Sequence, residues 1–381
     1  VRTSPSAPRG RAAVPGAPRR ILVLSASMGA GHDAVAGELA RRARADGHEP
    51  LVADVLGLLP YGLGSALRGS YQASVRHFPW AYGAVYDTFL RSGPGHRPSG
   101  VPLARLAGHR LTELADGFDA DVVVSVFHLA AQLTGHLRQR GALRVPSAVF
   151  VLDFAVHRQW VHPGNDQYLC LTEDAAGELR RGVAAPVRVT GPVVPADFLA
   201  PAAGAAHWRR TLARHVPGRP PVLLSAGAWG AASRPSATAR LLARTGYLPV
   251  VLCGHNDQLR SAVTAVPGAL ALGWVRDLPG LMGAVHALID NAAGQTAVQA
   301  LAAGLPVIGY RPLPGHGEEG VRHMAGLGVS EFAPDEAGLL SALERVLEAG
   351  PERDLRRDRG RALFREDPLA SVTALAESAA V

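Results

Sequence analysis

Short apolar runs alternate with helical stretches along nearly the whole chain, and this alternation constrains the fold more than any other feature. The runs fall at 21–25, 50–53, 122–126, 148–152, 167–171 and 187–190, and again at 222–225, 249–253, 269–272, 287–289 and 306–309. Each has the length of a buried strand, and most are separated by a segment with helical periodicity. Strands joined by helices predict parallel sheets covered on both faces. Eleven strands with two separate glycine-bearing strand-to-helix turns predict an α/β protein of two doubly wound domains. The expected division is a disordered tail at 1–20, an N-terminal domain at 21–198 and a C-terminal domain at 199–355. The boundary falls in the Pro-, Ala- and Gly-rich stretch "GPVVPADFLAPAAGAAHW". The final segment, 356–381, reads as helix. It need not belong to the second sheet, and packing against the N-terminal domain is the alternative.

A chain of 381 residues, 48% of them hydrophobic, suffices for two such cores. No apolar run reaches the roughly 18 residues that a spanning helix requires, so a soluble or peripheral protein is expected. The formal charge is +7 and every basic residue is Arg. A basic surface suits phosphates or anionic lipid headgroups, although a solvated surface explains it equally well. Zinc-ligand spacing, an aromatic RNA-binding signature and a basic helix are all missing, so nucleic acid is not expected. Cys170 and Cys253 sit far apart in apolar runs and read as free thiols in a reducing, cytoplasmic compartment. Residues 1–20 contain no apolar core of the kind a signal peptide needs.

The first strand runs into Gly29-Ala30-Gly31-His32-Asp33-Ala34, which spells G-x-G-x-x-A ahead of a helix. Asp54 closes the next strand, about 23 residues after Gly31. That is the pattern of a dinucleotide fingerprint, and an NAD-linked oxidoreductase is one reading. His32 does not belong to a pure phosphate cradle. At a strand's carboxyl end it faces the crevice where parallel sheets place their ligands.

A second constellation occupies 271–320. The strand at 287–289 leads through Asn291-Ala292-Ala293-Gly294-Gln295-Thr296 into a helix. Backbone N–H groups at such a helix start are suited to a diphosphate. The strand "LPVIGY" follows, and then the turn-rich loop "RPLPGHGEEG" with His316, Glu318 and Glu319. An ordinary strand-to-helix turn explains any one piece; the ordered set is more specific.

On these motifs the chain resembles the monogalactosyldiacylglycerol synthases and processive diacylglycerol glucosyltransferases. The resemblance spans roughly residues 21–350. It rests on the G-x-G-H loop, on the strand-Asp-x-x-x-His-x-x-Trp segment within "VFVLDFAVHRQWVHPGNDQYLCLTEDAAGEL" (149–179), and on "RVTGPVVPADF" (188–198). It implies the GT-B fold, two Rossmann-like domains with the site between them. It also implies inverting transfer of a hexose from a UDP-sugar to a lipid such as diacylglycerol. His32 then matches the base or orienting group of the acceptor loop, with Gly29 and Gly31. Asp153 and His157 match the acceptor-side segment, where a helix N-cap is the alternative role for Asp153. Gly227, Gly230, Val275, Gly294, Gln295, Thr296, Gln299, His316 and Glu318 match the donor side. UDP-sugar is the co-substrate and no metal is required. "DAD" at 119–121 precedes its strand instead of following it, so it is not read as a metal site.

Three positions depart from the family's pattern. Gln299 stands where many relatives carry Glu, "PGHGEEG" replaces P-G-Q-E-x-x-N, and Asp33 stands where Arg is common. A soluble acceptor and a catalytically weakened nucleotide-sugar-binding homologue are therefore the alternatives. Residues 55–92 collect aromatics with Arg68, Arg76 and Arg91. Tyr71, Trp80, Tyr82 and Phe89 are expected to face an anionic membrane, at the inner face of the cell membrane; burial under the N-terminal sheet is the alternative.

Overall fold

The computed structural model describes residues 17–77, 79–91, 99–228 and 234–379. Residues 1–16 of the expected tail at 1–20, Phe78, Gly230 and the side chains of Arg76 and Tyr82 lie outside this description, while Arg19 is buried and Arg20 opens the first strand.

Six strands from the first half form one parallel sheet. They are β1 (Arg20–Ser25), β2 (Glu49–Asp54), β3 (Val122–Ser125), β4 (Ser147–Phe150), β5 (Gln167–Cys170) and β6 (Val187–Val189), in the order β2-β1-β3-β4-β5-β6. Six from the second half form another: β7 (Pro221–Ser225), β8 (Leu248–Leu252), β9 (Leu270–Leu272), β10 (Ala287–Asp290), β11 (Val307–Tyr310) and β12 (Glu331–Ala333). Their order is β12-β11-β10-β7-β8-β9. Counted from β9, this is the doubly wound Rossmann order 3-2-1-4-5-6. β12 is one strand more than the sequence pattern predicts. It has three residues, lies at the sheet edge and begins with Glu331, so it shows no apolar run. Glu331 is nevertheless buried, and its carboxylate takes Arg345 at 2.6 Å and Arg356 at 3.1 Å.

β1 shows how the two halves are joined. Its residues alternate faces, as strand geometry requires. Ile21 and Val23 enter an apolar cluster that continues to Leu223, Leu288 and Val298 of the second half. Leu22 and Leu24 enter another, with Leu111, Leu129 and Leu133. Each such fully buried side chain contributes roughly 1.5–3 kcal/mol. The two sheets thus share apolar packing across their boundary.

The chain leaves the first sheet at Gly191 and passes it again near Leu363. Gly191 has φ +77°, and a Cβ there would lie 1.8 Å from the Leu363 carbonyl oxygen. Beyond that contact the helix Pro368–Ser378 packs against the N-terminal half through Leu369, Val372 and Ala376. Asp367 lies 3.4 Å from Arg42, and Glu377 lies 3.9 Å from Arg19. Among the described residues, no helix is long and apolar enough to cross a membrane.

Candidate active site

Ligands of open parallel sheets sit where strand order reverses, beyond the carboxyl ends of the strands. In the first sheet that point lies between β1 and β3, and in the second between β7 and β10. Both open on one cavity of about 1800 Å³, lined from the two halves. Four of the helices that begin at this cavity are Ala30–Ala45, His128–Gln139, Gln295–Ala303 and His316–Gly326. None of these four has a side-chain N-cap, whereas Leu278–Met282, which also begins there, is capped by Asp277. The helices after Thr172, Asn256, Asp335 and Asp367 are each capped by that residue's side chain. An uncapped start leaves backbone N–H groups for a ligand.

The N-terminal wall is built of rings. His32, two residues into its helix, hydrogen-bonds through Nδ1 to the Val126 carbonyl at 2.8 Å. A carbonyl only accepts, so Nδ1 carries a proton, and in the neutral ring the lone pair is at Nε2. Phe127 stands edge-on to His32 at 5.0 Å. His128 follows at 4.2 Å from Phe127, and His157 at 5.0 Å from His128. His128 is a cavity residue that the motif reading missed, although it repeats the grammar of His32: strand, short turn, His at a helix start. Burial, reinforced by His32 and His316, lowers its pKa to about 3. Burial also pushes His157 well below the ordinary imidazole range, with the same direction from His128, His316 and His32. His157 is 3% exposed, and its Nδ1 has no hydrogen-bond partner among the described residues.

Asp153 caps no helix. Its Oδ2 accepts the Trp160 indole N–H at 2.7 Å and lies 3.5 Å from His157 Nε2. Asp33 turns away from His32, its carboxylate accepting the Ser25 hydroxyl at 2.7 Å. Asp54 serves the end of β2, where it caps Leu56 N–H and binds Arg68 at 2.6 Å. It is absent from the cavity lining, so the two parts of the dinucleotide fingerprint do not converge. "DAD" lies at the opposite end of β3, where Asp121 accepts the Arg20 N–H.

The C-terminal wall is built of backbone. Asp290, at the end of β10, accepts the N–H groups of Ala292 at 2.9 Å and Ala293 at 2.6 Å. Burial raises its pKa against the opposing pull of those N–H groups. The turn so formed, with Ala293 at φ 51°, delivers Gly294 to the start of the next helix. Gly294, Thr296, Gln299, Val275 and Gly227 all line the cavity. Gly254 lines it too; a Cβ there would stand 2.4 Å from the Ala228 carbonyl oxygen, so glycine lets two loops touch. Two lining residues escaped the motif reading. Asn291 is 7% exposed, and its Nδ2 lacks a hydrogen-bond partner among the described residues. Trp274 stacks on His255 at 4.8 Å with 10° between the planes.

Three expected site residues stand elsewhere or act differently. The Gln295 side chain spans to the other half, donating one amide N–H to the Val193 carbonyl at 2.9 Å. Glu318 pairs with Arg322 at 3.0 Å and is absent from the lining, whereas His316 is present. Tyr71 lines the cavity instead of facing outward, and burial pushes its hydroxyl up to about 12. Trp80 and Phe89 are exposed, at 72% and 41%.

Comparison with known proteins bears on the ring-lined wall. Residues 32–194 match the family model for monogalactosyldiacylglycerol (MGDG) synthase. Over that span the chain resembles the MGDG synthases. The matched span contains His32, Asp153 and His157. Two curated relatives are named processive diacylglycerol beta-glucosyltransferase. The Bacillus subtilis protein is 25% identical over 64% of this chain and 65% of its own length. The Bacillus cereus protein is 24% identical over 94% of each. Among solved structures, the glycosyltransferase SnogD from Streptomyces nogalater is 19% identical over 95% of this chain and all of its own, with a TM-score of 0.57. Anabaena HepE, solved with UDP-glucose, is 13% identical over 94% and 99%, with a TM-score of 0.55. The fold of this chain is GT-B.

Proposed function

We propose that the protein is a glycosyltransferase that moves a hexose from a UDP-sugar to the hydroxyl of a diacylglycerol-type lipid, with inversion. The observation that carries this reading is the His32 Nδ1 bond to Val126, which leaves a basic nitrogen on one wall of a cavity whose other wall is an uncapped helix start. Diphosphate binds at the Gln295–Ala303 helix start, where N–H groups and the helix dipole meet its charge. The acceptor O–H gives its proton to His32 Nε2 as its oxygen bonds the anomeric carbon. The bond from that carbon to the diphosphate oxygen breaks, and UDP leaves with the electron pair. One displacement inverts the anomeric centre. No resident metal is needed, because backbone dipoles stabilise the departing charge. The names of the Bacillus relatives support a diacylglycerol acceptor, and HepE's bound UDP-glucose supports the donor class. A buried pair of free thiols fits a cytoplasmic protein at the inner face of the membrane.

The decisive experiment is a product assay with purified protein, diacylglycerol vesicles with and without anionic lipid, and a panel of UDP-sugars. The expected product is a glycolipid with the donor's anomeric configuration reversed. Vesicle binding should weaken with salt, since exposed charges are screened within ~10 Å at 0.1 M, yet persist through Trp80 and Phe89. Turnover of a soluble alcohol with none of the lipid would move the acceptor to a different class.

A further inference from the structure

Residues 79–91 reach from the first half of the molecule to the second. A Cβ at Gly83 would lie 3.0 Å from Pro314 Cβ. Tyr86 is fully buried, and its hydroxyl donates to Glu319 Oε2. Arg91 Nε reaches Oε1 of the same carboxylate at 3.2 Å, and its guanidinium sits 5.9 Å from the Tyr86 ring centroid. The ring lies on Gly315, which has φ +81°; a Cβ there would fall 2.5 Å from Tyr86 Cγ, so only glycine admits the contact. Tyr86 also faces a cavity histidine from each half, His157 at 6.4 Å and His316 at 6.3 Å.

Two further observations mark this contact as more than packing. Tyr86–Leu90 forms a π-helical turn, a rare geometry that concentrates at functional sites. The turn is anchored on the acceptor side, where the Phe89 carbonyl accepts Arg158 Nε and Gln159 Nε2, both at 2.8 Å. Those residues directly follow His157. Burial and the Glu319 and Asp153 carboxylates raise the Tyr86 pKa, which keeps the hydroxyl a donor.

We propose that Tyr86 is a positioning residue that, with Glu319 and Arg91, clasps the acceptor-side segment to the loop carrying His316, so that lipid seating and donor grip are coupled. The proposal rests on the reading above and adds a coupling that the reading does not require. His316 and Leu313 line the cavity beside Thr296 and Gln299, on the diphosphate side. Leu67, Val75, Val85 and Leu90 line it from the segment before and around the clasp. A shift of that segment on binding lipid reaches the donor side through Tyr86. By linkage, donor binding must then favour lipid binding by the same factor.

The test is the donor KM for UDP-glucose and UDP-galactose at low and saturating diacylglycerol in phosphatidylcholine vesicles. It is run on wild type, Tyr86→Phe and Glu319→Gln, with thermal unfolding as the check on folding. Wild type should show a KM about fivefold lower at saturating lipid, within the usual range of coupling. Each variant should show one high KM at both lipid levels, with kcat within about twofold of wild type. A purely structural role would lower the melting temperature and leave the KM ratio intact. Wild-type turnover with a lipid-independent donor KM overturns the clasp without any variant, as does an unchanged ratio in either folded variant. Absence of lipid product from wild type overturns the underlying reading, and the clasp with it.

Discussion

Two crevices face each other in this protein, each at the point where a parallel sheet reverses its strand order. The one between β1 and β3 presents His32, Phe127 and His128, with His157 joining from beyond β4. The one between β7 and β10 presents glycine turns, an uncapped helix and the Asn291 amide. Topology places both; side-chain chemistry decides what each can do. Rings with lowered pKa suit an uncharged hydroxyl acceptor, because they carry no cation at neutral pH. Backbone N–H groups suit a diphosphate. The opening loop also touches the other crevice: a Cβ on Gly31 would meet Gln295 Cβ at 3.5 Å, an ordinary van der Waals contact.

The strongest way to break this contrast is His32→Ala. Loss of a general base typically lowers turnover ~10²–10⁴-fold. UDP affinity, measured by calorimetry, should stay within about twofold, because the diphosphate is assigned to the opposite wall. Near-normal turnover would remove His32 from the chemistry, and a large loss of UDP affinity would erase the division of labour.

Asn291→Ala should do the reverse. A hydrogen bond to a charged group is worth about 1.5–3 kcal/mol, which corresponds to roughly ten- to hundredfold weaker UDP binding. At saturating donor the KM for the acceptor should not change. Unaltered UDP affinity would mean that the buried amide points at something other than the nucleotide.

The smallest expected effect is on stability. His128, His157 and His162 have folded pKa values below the usual 6.5, chiefly through burial. Their unfolded forms take up protons first as pH falls, so the unfolded state binds more protons and stability rises with pH. Stability is complete above about 6.5 and is lost as pH drops toward the folded values, about 3 for His128 and about 4 for His162. Asp290, with its raised pKa, opposes this in part. The urea midpoint should therefore be lower at pH 5 than at pH 7.5, and His128→Gln should flatten the difference. Identical midpoints in the wild type would mean that water reaches these rings.

Much of the fold is legible in the sequence because buried parallel strands are continuous apolar runs, as "ILVLS" and "VVVS" are. β12 is not, since its buried face belongs to Glu331 and is stabilised by two distant arginines. His32, Asp153 and His157 stand out by motif. So does Trp160, which donates to Asp153; the long-range partners do not, because Val126 lies 94 residues from His32 and Glu319 lies 233 from Tyr86. Local pattern also fails to give side-chain direction. Gln295 sits in a phosphate-type turn yet binds Val193, and Tyr71 belongs to an aromatic-rich surface segment yet faces inward.

The return of the chain past Gly191 also sets an order of assembly. The second sheet and its helices are drawn from one continuous stretch, roughly 205–361, and need nothing from elsewhere to pair their strands. The first sheet is different. Its strands are complete by Val189, but Leu369, Val372 and Ala376 cover part of its core, and the helix that carries them is synthesised about 180 residues later. During translation the half that emerges first must therefore wait, partly uncovered, for the half that emerges last. Its apolar face stays open to solvent or to a chaperone throughout that interval. The GT-B halves thus fold as a nested pair, the second closing inside the time it takes the first to be finished.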